Sequence, residues 1–198
     1  MKISASVYAA DPCNIIEKLK PLLPEIASLH FDVMDGHFVP AYGLNLALFQ
    51  RLQQTIELPI DVHLMIANPE DWALRFAAMG ARWIAVHPEA CRDPKALLRA
   101  IRQRGSQGYL AISTTMAMSD VAELLPESDG VLILSAPAGG GEFMPRMLDK
   151  AHAVPLDLPV VYDGKMQKSF IELLRNQPDD LMVIGGALFN QPDVQSGS

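Results

Sequence analysis

HFDVMDGH, residues 30–37, sets two histidines, two aspartates and a methionine into a stretch that otherwise has the composition of a buried strand. Ionisable groups in a core element are costly unless something pairs with them. Taken with the period of two of an extended chain, Leu29, Phe31 and Val33 fall on one face of LHFDVM, and His30, Asp32 and Met34 on the other. IDVHLM (60–65) repeats the arrangement, with Ile60, Val62 and Leu64 on one face and Asp61, His63 and Met65 on the other. Two strands with an apolar face and a mixed polar face fit a barrel. The apolar face packs on an outer shell of helices, and the polar face turns inward.

The rest of the chain agrees with that reading. Strand-like runs recur at 3–7, 28–34, 59–66, 82–87, 108–113, 130–135, 158–163 and 181–186. Helix-start chemistry lies between them: Asp11-Pro12 before the first helix, Asn68-Pro69-Glu70-Asp71 at the third, Asp93-Pro94 at the fourth, and Ser119 as a cap for the fifth. Gly80 and Gly105 stand where the third and fourth helices should stop. Eight strands alternating with seven helices predict a parallel α/β chain. A doubly wound open sheet alternates in the same way. The strand number, and polar residues at the C-terminal ends of several strands, favour a closed (βα)8 TIM barrel. At 198 residues the chain is shorter than the roughly 250 of a typical barrel, and ten residues follow Leu188. The expectation is one domain over 1–198 with its last helix short or missing. Such a barrel leaves apolar shell uncovered, which predicts a homo-oligomer.

Composition narrows the class. Hydrophobic residues make up 49 % and charged residues 20 %, as in a folded protein with a full core. No apolar run approaches the roughly 18–20 residues of a membrane span, and MKISASVYAADP lacks the apolar segment of a signal peptide. Cys13 and Cys91 are far apart and in no ligand-like spacing, so free thiols in a reducing cytoplasm are expected. A net charge of −7 without a basic run argues against nucleic acid. An anionic small molecule stays open, because backbone N–H groups alone can cradle one.

The polar faces then converge. His30 and Asp32 on one strand, His63 on the next, and Asp163 at the end of PVVYDG all reach the same mouth of a barrel. Two imidazoles and two carboxylates make a ligand set for one divalent ion such as Zn, Fe, Mn or Co. Met34 and Met65, by register, form an apolar wall beside it. His37 is as readily a loop-shaping or lid residue, His87 a structural or supporting one, and His152 solvent-facing.

HFDVMDGHFVP, IDVHLMIANPEDW, WIAVHPEA, FMPRMLDK, VVYDG and VIGGALF resemble, in order and spacing, the ribulose-phosphate 3-epimerase family over residues 2–193. KISAS and VHPE are closer to its D-allulose-6-phosphate 3-epimerase branch. The resemblance implies a barrel isomerase that interconverts ketose phosphates at C3. His30, Asp32, His63 and Asp163 match the family's metal ligands, and Asp32 and Asp163 its acid–base pair. Ser6 matches a substrate-contacting serine. Gly185 and Gly186 match a phosphate-binding glycine pair, and Gly139, Gly140 and Gly141 match part of a glycine loop closing over the same phosphate. Departures cluster around the substrate. SAPAGGGEF is about two residues shorter than the family's loop, Lys165 replaces a glycine, Leu134 a methionine and Ala41 an asparagine, and ISTTMAM lacks an Asn-Pro.

Three functions follow for comparison. A metal-dependent 3-epimerase of a phosphorylated ketose comes first, with Lys165 offering charge to the phosphate. A binding paralogue that keeps the metal but cannot close its loop comes second. A decarboxylase of the related sugar-phosphate barrels comes third, and FDVMD lacks the lysine such enzymes use.

Overall fold

The computed structural model describes residues 1–189. Eight parallel strands close into a barrel in sequence order, with β1 returning to pair with β8. They are β1 (Lys2–Ser6), β2 (Ser28–Met34), β3 (Ile60–Met65), β4 (Trp83–Val86), β5 (Gln107–Ile112), β6 (Gly130–Leu134), β7 (Val160–Asp163) and β8 (Leu181–Ile184). Every expected run forms its strand, with ends within two residues of those read from the sequence.

The strand faces divide as the alternation requires. Leu29, Phe31, Val33, Ile60, Val62 and Leu64 join the apolar layer between barrel and shell. Phe31 meets Phe49 and Phe76 there with ring centroids 5.4 and 6.0 Å away, tying β2 to the two helices that follow it. Each such ring contributes about 1.5–3 kcal/mol by leaving water. The inward face of the later strands supplies a separate plug of Trp83, Ala85, Tyr109, Ala111, Leu132, Val161, Leu181 and Val183. Trp83 and Tyr109 stack at 4.7 Å within it. That plug leaves the polar groups of β2, β3 and β7 as the inward chemistry of the barrel.

The shell is uneven. Helices α1 (Ile15–Leu19), α2 (Leu46–Thr55), α3 (Glu70–Ala78) and α4 (Pro94–Arg102) cover the first half. The Asn45 and Asp93 side chains accept the N–H groups of Leu48 and Ala96, which caps α2 and α4. Gly80 and Gly105 take φ of 84° and 88° just past α3 and α4. After β5, β6 and β7 the structure departs from the expected α-helices. Those crossovers are 3-10 segments, at Met118–Val121 and Leu125–Glu127, at Pro145–Ala153 and at Lys168–Leu173. In the fifth crossover the Asp120 carboxylate takes the Ala117 N–H, and Pro126 has no N–H to continue an α-helical ladder. Ser119 therefore caps no fifth α-helix. A four-residue α5 (Gly186–Phe189) follows β8, and the residues that would extend it lie outside those described.

At the strand N-terminal end, Arg175 and Asp180 hold β7 to β8. The guanidinium donates to the Val154, Pro155 and Leu158 carbonyls and to Asp180, whose carboxylate also accepts the Val160 and Gln177 N–H groups. Cys13 and Cys91 are free thiols, and burial pushes Cys91 up to about 12. Among the described residues no helix is long and apolar enough to cross a membrane.

Candidate metal centre and its cavity

Register sets the centre. On the β2–β3 pair, His30 lies beside Asp61 and Asp32 lies beside His63, one inward-facing step further along. His63 shares a rung with Asp32 and presents its nearer nitrogen, Nδ1, 3.4 Å from Asp32 Oδ1. His30 sits one rung lower and reaches with its farther nitrogen, Nε2, which comes within 3.2 Å of the same oxygen. Asp163, at the end of β7, brings Oδ2 to 3.6 Å from both nitrogens. The four ligand atoms lie within 4.8 Å of one another.

Each group is anchored by its other atom. Asp32 Oδ2 accepts the Ser6 hydroxyl at 3.1 Å, and Asp163 Oδ1 accepts the Gly164 N–H at 2.7 Å. His30 Nδ1 lies 3.3 Å from Asp61 Oδ2, and Ser4 Oγ donates to both oxygens of that fully buried carboxylate. Ser28 donates in turn to Ser4 at 2.8 Å. His63 Nε2 lies 2.9 Å from His87 Nε2, and His87 Nδ1 has Glu89 Oε1 at 3.4 Å. With the His63 Nδ1 lone pair turned to the centre, its proton resides on Nε2 and is donated to His87. His87 then carries its own proton on the Glu89 side.

His30 Nε2 and His63 Nδ1 are buried, and neither has an aligned hydrogen-bond partner. Two orphaned imidazole nitrogens aimed at two free carboxylate oxygens fit a divalent cation. Titration points the same way. Burial alone would lower both imidazoles, but the Asp32 and Asp163 carboxylates hold His30 well above and His63 above the ordinary value. Burial raises Asp32 and Asp163, and the two imidazoles outweigh it and pull both down. His87 is lowered, chiefly by burial, so it stays neutral and can accept from His63.

A cavity of ≈ 380 Å³ opens above the four ligands. Ser6, Met34, Met65, Gly139, Gly140, Lys165, Gly185 and Gly186 all line it, as does Leu134. Gly141 does not; it packs beside Pro137, where a Cβ would come within 2.7 Å of that ring. The loop after β2 forms one wall. Asp35 pins it by accepting the N–H groups of His37, Phe38 and Ala67, which places Phe38 4.8 Å from the His87 ring. Val39 meets the loop after β6 at Gly139 (φ 77°), where a Cβ would lie 2.8 Å from Val39 Cβ. The loop after β6 therefore meets the loop after β2 at this wall. His37 is exposed, and its ring bonds the Asp35 carbonyl rather than the centre.

Residues 2–189 match the Ribulose-phosphate 3 epimerase family. The chain belongs to that family. Among curated relatives, the ribulose-phosphate 3-epimerase of Mycobacterium tuberculosis is 33 % identical over 200 residues, covering 96 % of this chain and 87 % of its own. That of Escherichia coli K12 is 32 % identical over 204 residues, covering 98 % and 91 %. Membership makes the chain an isomerase of the carbohydrate-epimerase class. These relatives do not set apart the D-allulose-6-phosphate branch. Among solved structures, KGPDC from Streptococcus mutans superposes with a TM-score of 0.70 at 12 % identity, covering 95 % of this chain and 94 % of its own. A tryptophan synthase α-subunit from Pyrococcus furiosus gives 0.70 at 15 %, covering 95 % of this chain and 88 % of its own. At such identities these two speak for the barrel fold alone.

Asp61, Ser4 and Glu89 were not singled out as site residues from the sequence, whereas His87, read there as structural or supporting, lies behind His63. Asp61 had a readable signal, since it shares the inward parity of His63 on the same strand.

Proposed function

We propose that this protein is a metal-dependent 3-epimerase of a ketose phosphate, with D-ribulose 5-phosphate or D-allulose 6-phosphate as substrate. The observation that carries the reading is the convergence of Asp32 and Asp163 from separate strands, β2 and β7, each with one oxygen anchored and the other free. Epimerisation at C3 needs a base on one face of the carbon and an acid on the other. One aspartate removes the C3 proton, the other returns a proton to the opposite face, and the reverse reaction exchanges their roles. One Zn, Fe, Mn or Co ion, held by His30 Nε2, His63 Nδ1 and an oxygen of each aspartate, supplies positive charge for the negative charge that develops on the substrate oxygens.

The remaining roles belong to the cavity wall. Ser6 donates to Asp32 Oδ2, the oxygen turned away from the two imidazoles, and so fixes the orientation of the carboxylate. Met34 and Met65 exclude water beside the reacting carbon. The N–H groups of Gly139, Gly185 and Gly186 serve the phosphate, while that of Gly140 is held by the Pro137 carbonyl and shapes the loop. The contact of Gly139 with Val39 favours turnover over binding alone, because the shortened loop still meets the loop after β2 at the cavity wall.

Deuterium wash-in at C3 tests the reading, with the metal-loaded protein, D-ribulose 5-phosphate, D-allulose 6-phosphate and other ketose phosphates in heavy water. Exchange is expected with at least one of them, and Asp32→Asn or Asp163→Asn should reduce it by about 10²–10⁴-fold. One metal ion per chain with no exchange across the panel would make the protein a binder instead. Full exchange in both variants would refute the aspartate mechanism.

A further inference from the structure

Two non-glycine residues among those described hold a positive φ, Asn68 at 53° and Lys165 at 59°. Asparagine visits that region readily because its short side chain bonds locally, whereas lysine has no such compensation. The neighbours of Lys165 impose the conformation. Gly164 (φ 102°) has no room for a side chain, since a Cβ would lie 2.6 Å from the Ala136 nitrogen. Its carbonyl accepts the Ser135 hydroxyl, and the buried Met166 places Sδ 3.2 Å from that hydroxyl oxygen. With both flanks pinned, position 165 is left-handed whatever residue stands there, and glycine is the residue that adopts it without strain. Packing does not explain a lysine at this point. Its side chain is exposed and forms no ion pair among the described residues.

What Lys165 has is a place on the cavity. Among the described residues that line it, Lys165 carries the one positive charge, against the carboxylates of Asp32 and Asp163. The protein as a whole carries −7. Five glycines line the cavity; Gly140 gives its N–H to the Pro137 carbonyl, and glycine N–H groups offer an incoming anion only neutral dipoles. A bound divalent ion would offset those two carboxylates, and Lys165 is then the one side-chain cation of the lining left to meet the phosphate of an incoming substrate.

We infer that Lys165 is a specificity-determining residue whose ammonium binds the phosphate of the substrate, at the cost of a strained backbone. The inference rests on the ketose-phosphate reading above and adds to it a particular recognition element. Discrimination between a phosphorylated ketose and its unphosphorylated parent then depends on residue 165, and weakens as salt screens the contact.

The experiment compares the metal-loaded wild type with Lys165→Gly, Lys165→Gln and Lys165→Arg. Three quantities are read: the calorimetric affinity for inorganic phosphate, KM and kcat for C3 exchange, and Tm. Lys165→Gly relieves the strain and removes the charge. Its Tm should rise by about 2–4 °C, while phosphate affinity falls and KM rises by about 10- to 100-fold, with kcat changing far less. Lys165→Gln keeps the strain and loses the charge, so binding weakens without the gain in Tm. Lys165→Arg stays near wild type in both. If the wild type binds phosphate and exchanges the C3 proton while the Gly and Gln variants bind phosphate equally well, the inference is overturned and the epimerase reading stands. If the wild type neither binds phosphate nor exchanges any substrate, both fall.

Discussion

Replacing Asp61 by asparagine tests whether the buried line behind His30 governs the centre. Asp61 Oδ2 receives His30 Nδ1 at 3.3 Å, and Ser4 Oγ donates to the carboxylate at 3.1 and 3.3 Å, all out of contact with water. A carboxylate only accepts, so it forces the His30 proton onto Nδ1 and leaves Nε2 as a lone pair facing the ligand oxygens. Asparagine can turn its carbonyl to His30, but its NH₂ group then meets the Ser4 hydroxyl, which already accepts from Ser28. If it turns the NH₂ group to His30 instead, the ring must take the other tautomer, with a proton where the metal lone pair should be. In the first orientation a charge-assisted hydrogen bond becomes a neutral one, a loss of about 1–1.5 kcal/mol. That amounts to roughly tenfold in metal affinity. The second orientation extends the loss toward about 100-fold. Chelator competition with Zn²⁺ or Mn²⁺ measures it directly, without reference to turnover. An Asp61→Asn variant that binds the ion as tightly as wild type would refute the tautomer argument.

Two further expectations follow from the same geometry and from the far end of the barrel. In the metal-free protein, His30 and His63 titrate above their ordinary 6.5, so their pairing with Asp32 and Asp163 stabilises the fold fully below that pH and is lost as pH rises through the raised values. The Tm difference between metal-loaded and metal-free protein should therefore widen from pH 6 upward, because the ion takes over as the protons leave. Scanning calorimetry at several pH values checks the sign, and a gap that narrows would contradict it. Arg175→Ala leaves the buried Asp180 carboxylate without its cation and the β7–β8 clamp open. It should cost about 3–5 kcal/mol in urea unfolding while the metal affinity of surviving folded protein is unchanged.

Much of the barrel was legible because its signal is local. The alternation of LHFDVM and IDVHLM gave both the strand and the face, and the closed register then brought His30, Asp32, His63 and Asp163 together as their parity required. The later crossovers were less legible. Their spacing suits helices, but Asp120 and Pro126 divert the hydrogen-bonding ladder, and such competition is settled residue by residue. Gly141 was assigned to the cavity by position in a motif, and its packing on Pro137 takes it elsewhere. Asp61 went unassigned because its partner, His30, lies on another strand, and only the lateral register of the barrel sets the two side by side. The strain at Lys165 is likewise invisible in a sequence. It comes from the way Ser135 and Met166 fix the chain on either side.

Three of the four ligands stand on β2 and β3, and the fourth comes from β7. One hundred residues of chain separate His63 from Asp163, and they include two of the three crossovers that form only 3-10 turns. An ion gripped by all four groups is therefore also a cross-link, a stitch between the well-armoured half of the barrel and the thinly covered one. A covalent tie around a loop of that length stabilises by about 4.7 kcal/mol in the chain-entropy account. A stitch of this kind makes the reaction centre a fastener for the half of the fold whose shell is weakest.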